Sequence, residues 1–213
     1  MPILFHRDRV SHFAHIPKCA GTSIEDYLIS QGVKTFFLDR SYKHSKGGAN
    51  WNASSPQHVD GWALSKLFSP SLIDTCFGVC RRPEDRLISA FKFQLRHQYI
   101  ARSLSLSEFV KTQLKKHALS VGFLDNHFLP QVYFLLPNKD YKIFRLEDGL
   151  GEIKSFIDSN VLGAESNNPM PHNNASPVSH TDDPKFRLDQ EARQIIQRIY
   201  KDDFDTFGYP TTN

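Results

Sequence analysis

A chain of 213 residues with 12% aromatic content and 17 phenylalanines fits one domain, 1–213, with a substantial packed core, which excludes a disordered chain and argues against two independent domains. Its 26 basic and 23 acidic residues leave a net charge of +3, too mild to argue for nucleic acid or an anionic membrane as partner, while a local basic site for a polyanionic nucleotide stays open. No window approaches the about 18 to 20 apolar residues of a spanning helix; the three cysteines, Cys19, Cys76 and Cys80, read as small core residues of a reducing, cytoplasmic compartment.

His12 to Glu25 reads as a short strand, a tight loop and the first turn of a helix. Phe13, Ala14 and Ile16 suit a sheet, Pro17 ends the pairing because it lacks an N–H, and Gly21 allows backbone angles that other residues resist. Thr22-Ser23-Ile24-Glu25 has the form of a capping box, so a helix is expected from there through Tyr27, Leu28 and Ile29. Unpaired N–H groups and a partial positive charge at such a start, with Lys18 and the hydroxyls of Thr22 and Ser23 beside them, predict a site for a phosphate-sized anion. A Walker loop places its Lys after its last Gly, whereas Lys18 precedes Gly21, which disfavours a kinase or NTPase.

Ile16-Pro17-Lys18-Cys19-Ala20-Gly21-Thr22-Ser23 resembles the 5′-phosphosulfate loop of sulfotransferases that use 3′-phosphoadenosine 5′-phosphosulfate (PAPS), in the branch that includes the uronyl and heparan sulfate 2-O-sulfotransferases and small bacterial relatives. The resemblance implies that Pro17, Lys18, Cys19, Ala20, Gly21, Thr22 and Ser23 bind the donor and that Lys18 is catalytic. Cys19 departs from the more usual Thr, Ser or Gly. A thiol at a helix start beside Lys18 is expected to be reactive.

Val33 to Leu38 reads as a second strand, and the polar segment Asp39 to Pro56 as a surface loop of the length that serves lids and binding sites. A short helix is expected through Trp62, Leu64 and Leu67. His58, before it, is the candidate general base, since an alcohol is a poor nucleophile until its proton has somewhere to go and imidazole titrates near neutrality. The family supplies a base in this segment; His15, His44, His127 and His172 compete for the role.

Thr75 to Cys80 reads as a buried strand running into a helix that starts at Pro83, with Glu84 and Asp85 at its positive end and Leu87, Ile88, Phe91 and Leu95 facing the core. Arg86 and Ser89 share a face, and Arg81 ends the strand before them, beside one crevice at the C-terminal ends of the strands. The stretch resembles the family's 3′-phosphate motif, which implies that Arg81 and Ser89 bind that phosphate. Ser105-Leu106-Ser107-Glu108 is expected to cap a helix burying Phe109, Val110 and Leu114.

Asp125 to Gln131 looks like the family's acceptor-side segment, which implies that His127 and Gln131 contact the acceptor. Tyr141 to Glu147 reads as a strand turning into a helix from Leu150 to Ile157, and Asp189 to Lys201 as a last helix with Ile195, Ile196 and Ile199 on one side. In the loop between, Asn160 to Pro184, the run Pro171 to Ser176 resembles the segment over the adenosine of PAPS, implying donor contacts from Asn174 and Ser176. No His, Asp or Glu cluster shows metal-ligand spacing, and no metal is expected.

Alternating strands and helices predict an α/β fold. With the resemblance this becomes a P-loop-like three-layer sandwich, its mostly parallel central sheet flanked by helices. The function expected is transfer of the PAPS sulfuryl group to a hydroxyl of a carbohydrate or glycoconjugate. The competing readings are a nucleotide kinase or NTPase and a nucleotide-binding module without catalysis.

Overall fold

The computed structural model describes residues 2–42, 53–171 and 183–211. Within them the chain forms β1 (Ile3–His6), β2 (Arg9–Ala14), α1 (Gly21–Ser30), β3 (Lys34–Phe36), α2 (Gly61–Leu67), β4 (Thr75–Cys80), α3 (Pro83–Arg96), α4 (Leu106–Phe109), α5 (Lys115–Ala118), β5 (Lys142–Arg145), α6 (Gly151–Ile157), α7 (Gln190–Ile199) and α8 (Lys201–Phe207). A π turn, Val110–Leu114, joins α4 to α5, and a second, Asp158–Leu162, continues α6.

The sheet, in the order β3-β1-β2-β4-β5, is mixed, not mostly parallel. β4 lies parallel to β2 and β5 parallel to β4, whereas β1 runs antiparallel to both β2 and β3. The antiparallel half comes from an N-terminal hairpin whose turn residues, Arg7 and Asp8, have φ of 46° and 62°. Positive φ at both central positions matches the right-handed twist of the strands, but Asn-Gly is the usual sequence signal for it, so Arg-Asp hides the hairpin.

Helices flank the sheet. Phe13 and Phe77 stack at 5.3 Å on neighbouring strands, and Phe156 of α6 closes over Phe77 and Phe144 at 5.6 and 5.4 Å. Each such burial stabilises the fold by about 1.5–3 kcal/mol. From Cys76 onward β4 is buried on both faces, as a central parallel strand is, which is why it reads as a continuous apolar run.

Thr75 to Cys80 and the helix from Pro83 form where expected, and the capping box at Ser105 and Glu108 closes reciprocally. The expected last helix forms as α7, capped by Asp189 and ending at Tyr200, and a further helix, α8, follows it from Lys201. Asn174 and Ser176, like His44 and His172, lie outside the described residues. No helix among those described is long and apolar enough to cross a membrane.

Candidate active site

β2 ends at Ala14, and the loop after it places Lys18 at φ 71° and Ala20 at φ 60°. Left-handed residues alternating with ordinary ones turn successive N–H groups toward one side, an anion-binding concavity. α1 follows with no side-chain cap and no acidic residue in its first turn, which leaves the helix start suited to an anion.

Two local expectations fail. The capping box at Thr22 does not form: α1 begins at Gly21 with Ala20 as its N-cap, which puts Thr22 inside the helix, and the buried Glu25 carboxylate pairs with His15 Nδ1. Gly21 is not in the left-handed region; it is required for room, since a Cβ there would meet His15 Nε2 at 2.2 Å. Burial alone would raise the Glu25 carboxyl, but the charge and hydrogen bond of His15, with His58 and Arg40 beyond, hold it below the ordinary value.

The neighbouring parallel strand β4 ends at Cys80, and Arg81 follows it. Its guanidinium Nη1 donates to the Lys18 carbonyl at 3.4 Å, so the two strand-to-helix loops meet in one place. Gln131 locks them. Its Oε1 accepts from the Arg81 N–H at 3.0 Å and its Nε2 donates to the Arg81 carbonyl at 2.8 Å, while the Cys19 thiol lies 3.6 Å from that Oε1. The Asp203 carboxylate accepts from the Gln131 and Val132 N–H groups. With its amide consumed by main chain and no surface exposed, Gln131 is a bracket between loops here, not a group presented to an acceptor.

Arg86, expected beside Ser89 in the crevice, is buried instead and donates to the carbonyls of His127 and Leu129. Ser89 is half-buried on α3, one turn before Phe93, and Lys18 Nζ sits 4.5 Å from the Phe93 ring. Cys19 is buried, and that burial pushes its thiol up to about 12, against the pull of Arg86 and Arg81, the opposite of the direction expected for a thiol at a helix start.

A family model described as "Sulfotransferase family" matches residues 2–210. The chain belongs to the sulfotransferase family. No curated protein and no solved structure gives a match.

In this sulfotransferase His58 closes the turn Pro56–His58 and is buried. Its Nδ1 lies 2.9 Å from Asp125 Oδ2 and 3.1 Å from the Ser55 hydroxyl; Asp125 Oδ1 accepts from the Ser55 N–H at 2.7 Å. Paired with a carboxylate, Nδ1 carries the proton and Nε2 keeps its lone pair. Burial holds the imidazole below its ordinary pKa, opposed by the charge and hydrogen bond of Asp125 and aided by His15, so His58 is neutral at neutral pH.

Asp125 reaches His58 from an unusual turn. Leu124, Asp125 and Asn126 have φ of 46°, 58° and 60°, a left-handed run that costs side-chain-bearing residues on the order of 1 kcal/mol or more each. Asn126 spans the turn, its Oδ1 accepting from the Gly122 N–H at 2.6 Å and its Nδ2 donating to the His58 carbonyl at 2.7 Å.

The ring contacts form a circuit. Lys18 lies over Phe93, whose ring is 4.9 Å from that of His127; His127 is 5.2 Å from His58, and His58 is 4.8 Å from His15, which covers Gly21. The fold thus gathers Lys18, Arg81, His58 and His127 from four separate segments. Sequence reasoning missed Asp125, Asn126, Phe93 and the Glu25 pairing of His15; the Asp125-x-His127 spacing was the one available signal. It also missed that His58, Asp125 and His127 bring ligand atoms within 4.8 Å of one another, the metal-type cluster judged absent from linear spacing.

Proposed function

We propose that the protein transfers the sulfuryl group of PAPS to a hydroxyl of an acceptor of the carbohydrate or glycoconjugate class. The observation that carries this reading is the Arg81 guanidinium on the Lys18 carbonyl. It joins two loops at the C-terminal ends of adjacent parallel strands, where open α/β sheets bind ligands. One doubly phosphorylated adenosine accounts for both.

In this scheme the uncapped start of α1, its loop N–H groups and Thr22 hold the 5′-phosphosulfate, and Arg81 and Ser89 hold the 3′-phosphate. Pro17, Cys19, Ala20, Gly21 and Ser23 shape the cradle. His58 Nε2 takes the proton of the acceptor hydroxyl as its oxygen bonds to sulfur. The bond from sulfur to the 5′-phosphate oxygen breaks, and its electron pair leaves on adenosine 3′,5′-bisphosphate. Lys18 stabilises the charge growing on that oxygen. Asp125 holds the His58 tautomer and stabilises the imidazolium. His127 flanks the base and orients it.

The test is transfer of label from PAPS to a panel of carbohydrate acceptors, with Lys18→Ala and His58→Ala beside the wild type. Wild-type rates in Lys18→Ala contradict the mechanism. Thermal stabilisation by adenosine 3′,5′-bisphosphate in preference to ATP separates it from an NTPase.

A further inference from the structure

His58, Asp125 and His127, to which the proposed chemistry gives roles without a metal, together also make a donor set for a metal ion. Their ligand atoms lie within 4.8 Å of one another, with Asp125 Oδ2 2.9 Å from His58 Nδ1 and 4.0 Å from His127 Nε2. Donors about 2.0–2.2 Å from a tetrahedral zinc stand about 3.4 Å apart, so small side-chain adjustments bring all three onto one ion. All three side chains are buried, and their turns are braced: Asp125 Oδ1 by the Ser55 N–H, the His58 carbonyl by Asn126.

A second observation concerns Gln94. This buried side chain places Nε2 2.9 Å from His127 Nδ1, and its Oε1 has no partner among the described residues. Ligation by His127 Nε2 requires this amide to turn over, so that Oε1 accepts a hydrogen bond from His127 Nδ1; the turn also sets Oε1 against the Leu124 carbonyl, now 3.2 Å from Nε2, a repulsion that the bound ion must offset. His127 Nε2 is then left with a lone pair toward Asp125. Metal-ligating histidines have that arrangement, one nitrogen on the ion and the other held by an acceptor.

We propose that His58, Asp125 and His127 form a two-histidine, one-carboxylate site for a divalent transition ion of the Zn²⁺ class, whose occupation switches the enzyme off. The nitrogen-rich donor set disfavours Mg²⁺ and Ca²⁺, which take oxygen ligands. Inhibition follows from the tautomer. A neutral imidazole bound to metal through Nδ1 carries its single proton on Nε2, the atom that must accept the acceptor's proton. The ion also takes the Asp125 oxygen that stabilises the imidazolium. The ion-binding half stands on geometry alone, whereas the inhibition half rests on His58 as the base.

The test is titration of the metal-free full chain with Co²⁺, followed by its visible absorption, with Zn²⁺ competition and sulfuryl transfer measured on the same samples. Expected are one ion per chain, a visible band that Zn²⁺ removes, inhibition reversed by chelator, and at least tenfold weaker binding in His127→Gln and Asp125→Asn. Paramagnetic shifts of the His58 and His127 ring protons in the unaltered protein report the ligands even if a variant fails to fold. No one-to-one binding, or shifts confined to other histidines, overturns the site and leaves the sulfuryl-transfer reading standing. Binding at these residues with full activity overturns the switch and, with it, His58 as the base.

Discussion

Replacing Asp125 with Asn keeps the size of the side chain and exchanges one oxygen for an NH₂ group. Asp125 faces two close donors in particular: the Ser55 N–H at 2.7 Å and His58 Nδ1 at 2.9 Å. Asn has a single acceptor. With its oxygen on the Ser55 N–H, its NH₂ faces His58 Nδ1 and requires a lone pair there. The imidazole proton then moves to Nε2, and the base is masked. General-base catalysis contributes about 10²–10⁴-fold, so kcat should fall by at least about a hundredfold, or about 2.7 kcal/mol. Because Asp125 raises the His58 pKa against burial, its removal should also carry the acid limb of the surviving activity to lower pH. Adenosine 3′,5′-bisphosphate should bind as before. The assay is the pH profile of label transfer under saturating PAPS. Wild-type kcat with an unmoved acid limb refutes the tautomer argument.

Other outcomes follow from the same geometry. Gly21→Ala drives a methyl group into the His15 ring, and a lower melting temperature should report about 1–3 kcal/mol of overpacking. Native Cys19 should resist iodoacetamide at mildly alkaline pH, because its thiol is buried and pushed up to about 12; rapid labelling at that position contradicts this. Gln131→Leu strands the partly buried main-chain N–H and carbonyl of Arg81, which at up to about 1 kcal/mol per group should weaken nucleotide binding and stability together, as calorimetry reads. Glu25 is held below its ordinary value, so its stabilising contribution is full above the unfolded carboxylate pKa and is lost as pH falls through the folded one. Acid unfolding of Glu25→Gln should therefore depend less on pH than that of the wild type.

The parts of the site legible in the sequence are those carried by contiguous residues. Lys18 and Arg81 each sit in an unbroken strand-loop-helix stretch, where an apolar run, a punctuating Pro and a helix start announce one another. Their meeting also followed from chain order, since strands feeding helices on one sheet edge bring their loops together. Side-chain choices were not legible. Glu25 had a local partner in the capping box and a distant one in His15, and spacing alone favours the local one. Gln131 is expected at the acceptor only from the family likeness of its segment, and its main-chain partners on Arg81 lie too far away in the chain for spacing to show them. The left-handed run at Leu124 to Asn126 contains no glycine, so nothing marked the turn that carries Asp125 to His58. The hairpin turn at Arg7 and Asp8 was hidden for the same reason, and with it the antiparallel half of the sheet.

The central claim is that the two loops hold opposite ends of one nucleotide. Calorimetric binding of adenosine 3′,5′-bisphosphate and of adenosine 5′-monophosphate to the wild type and to Arg81→Ala tests it most directly. The wild type should strongly prefer the bisphosphate, and Arg81→Ala should lose this preference while binding the monophosphate as before. Equal weakening toward both nucleotides, or no weakening toward either, would contradict it.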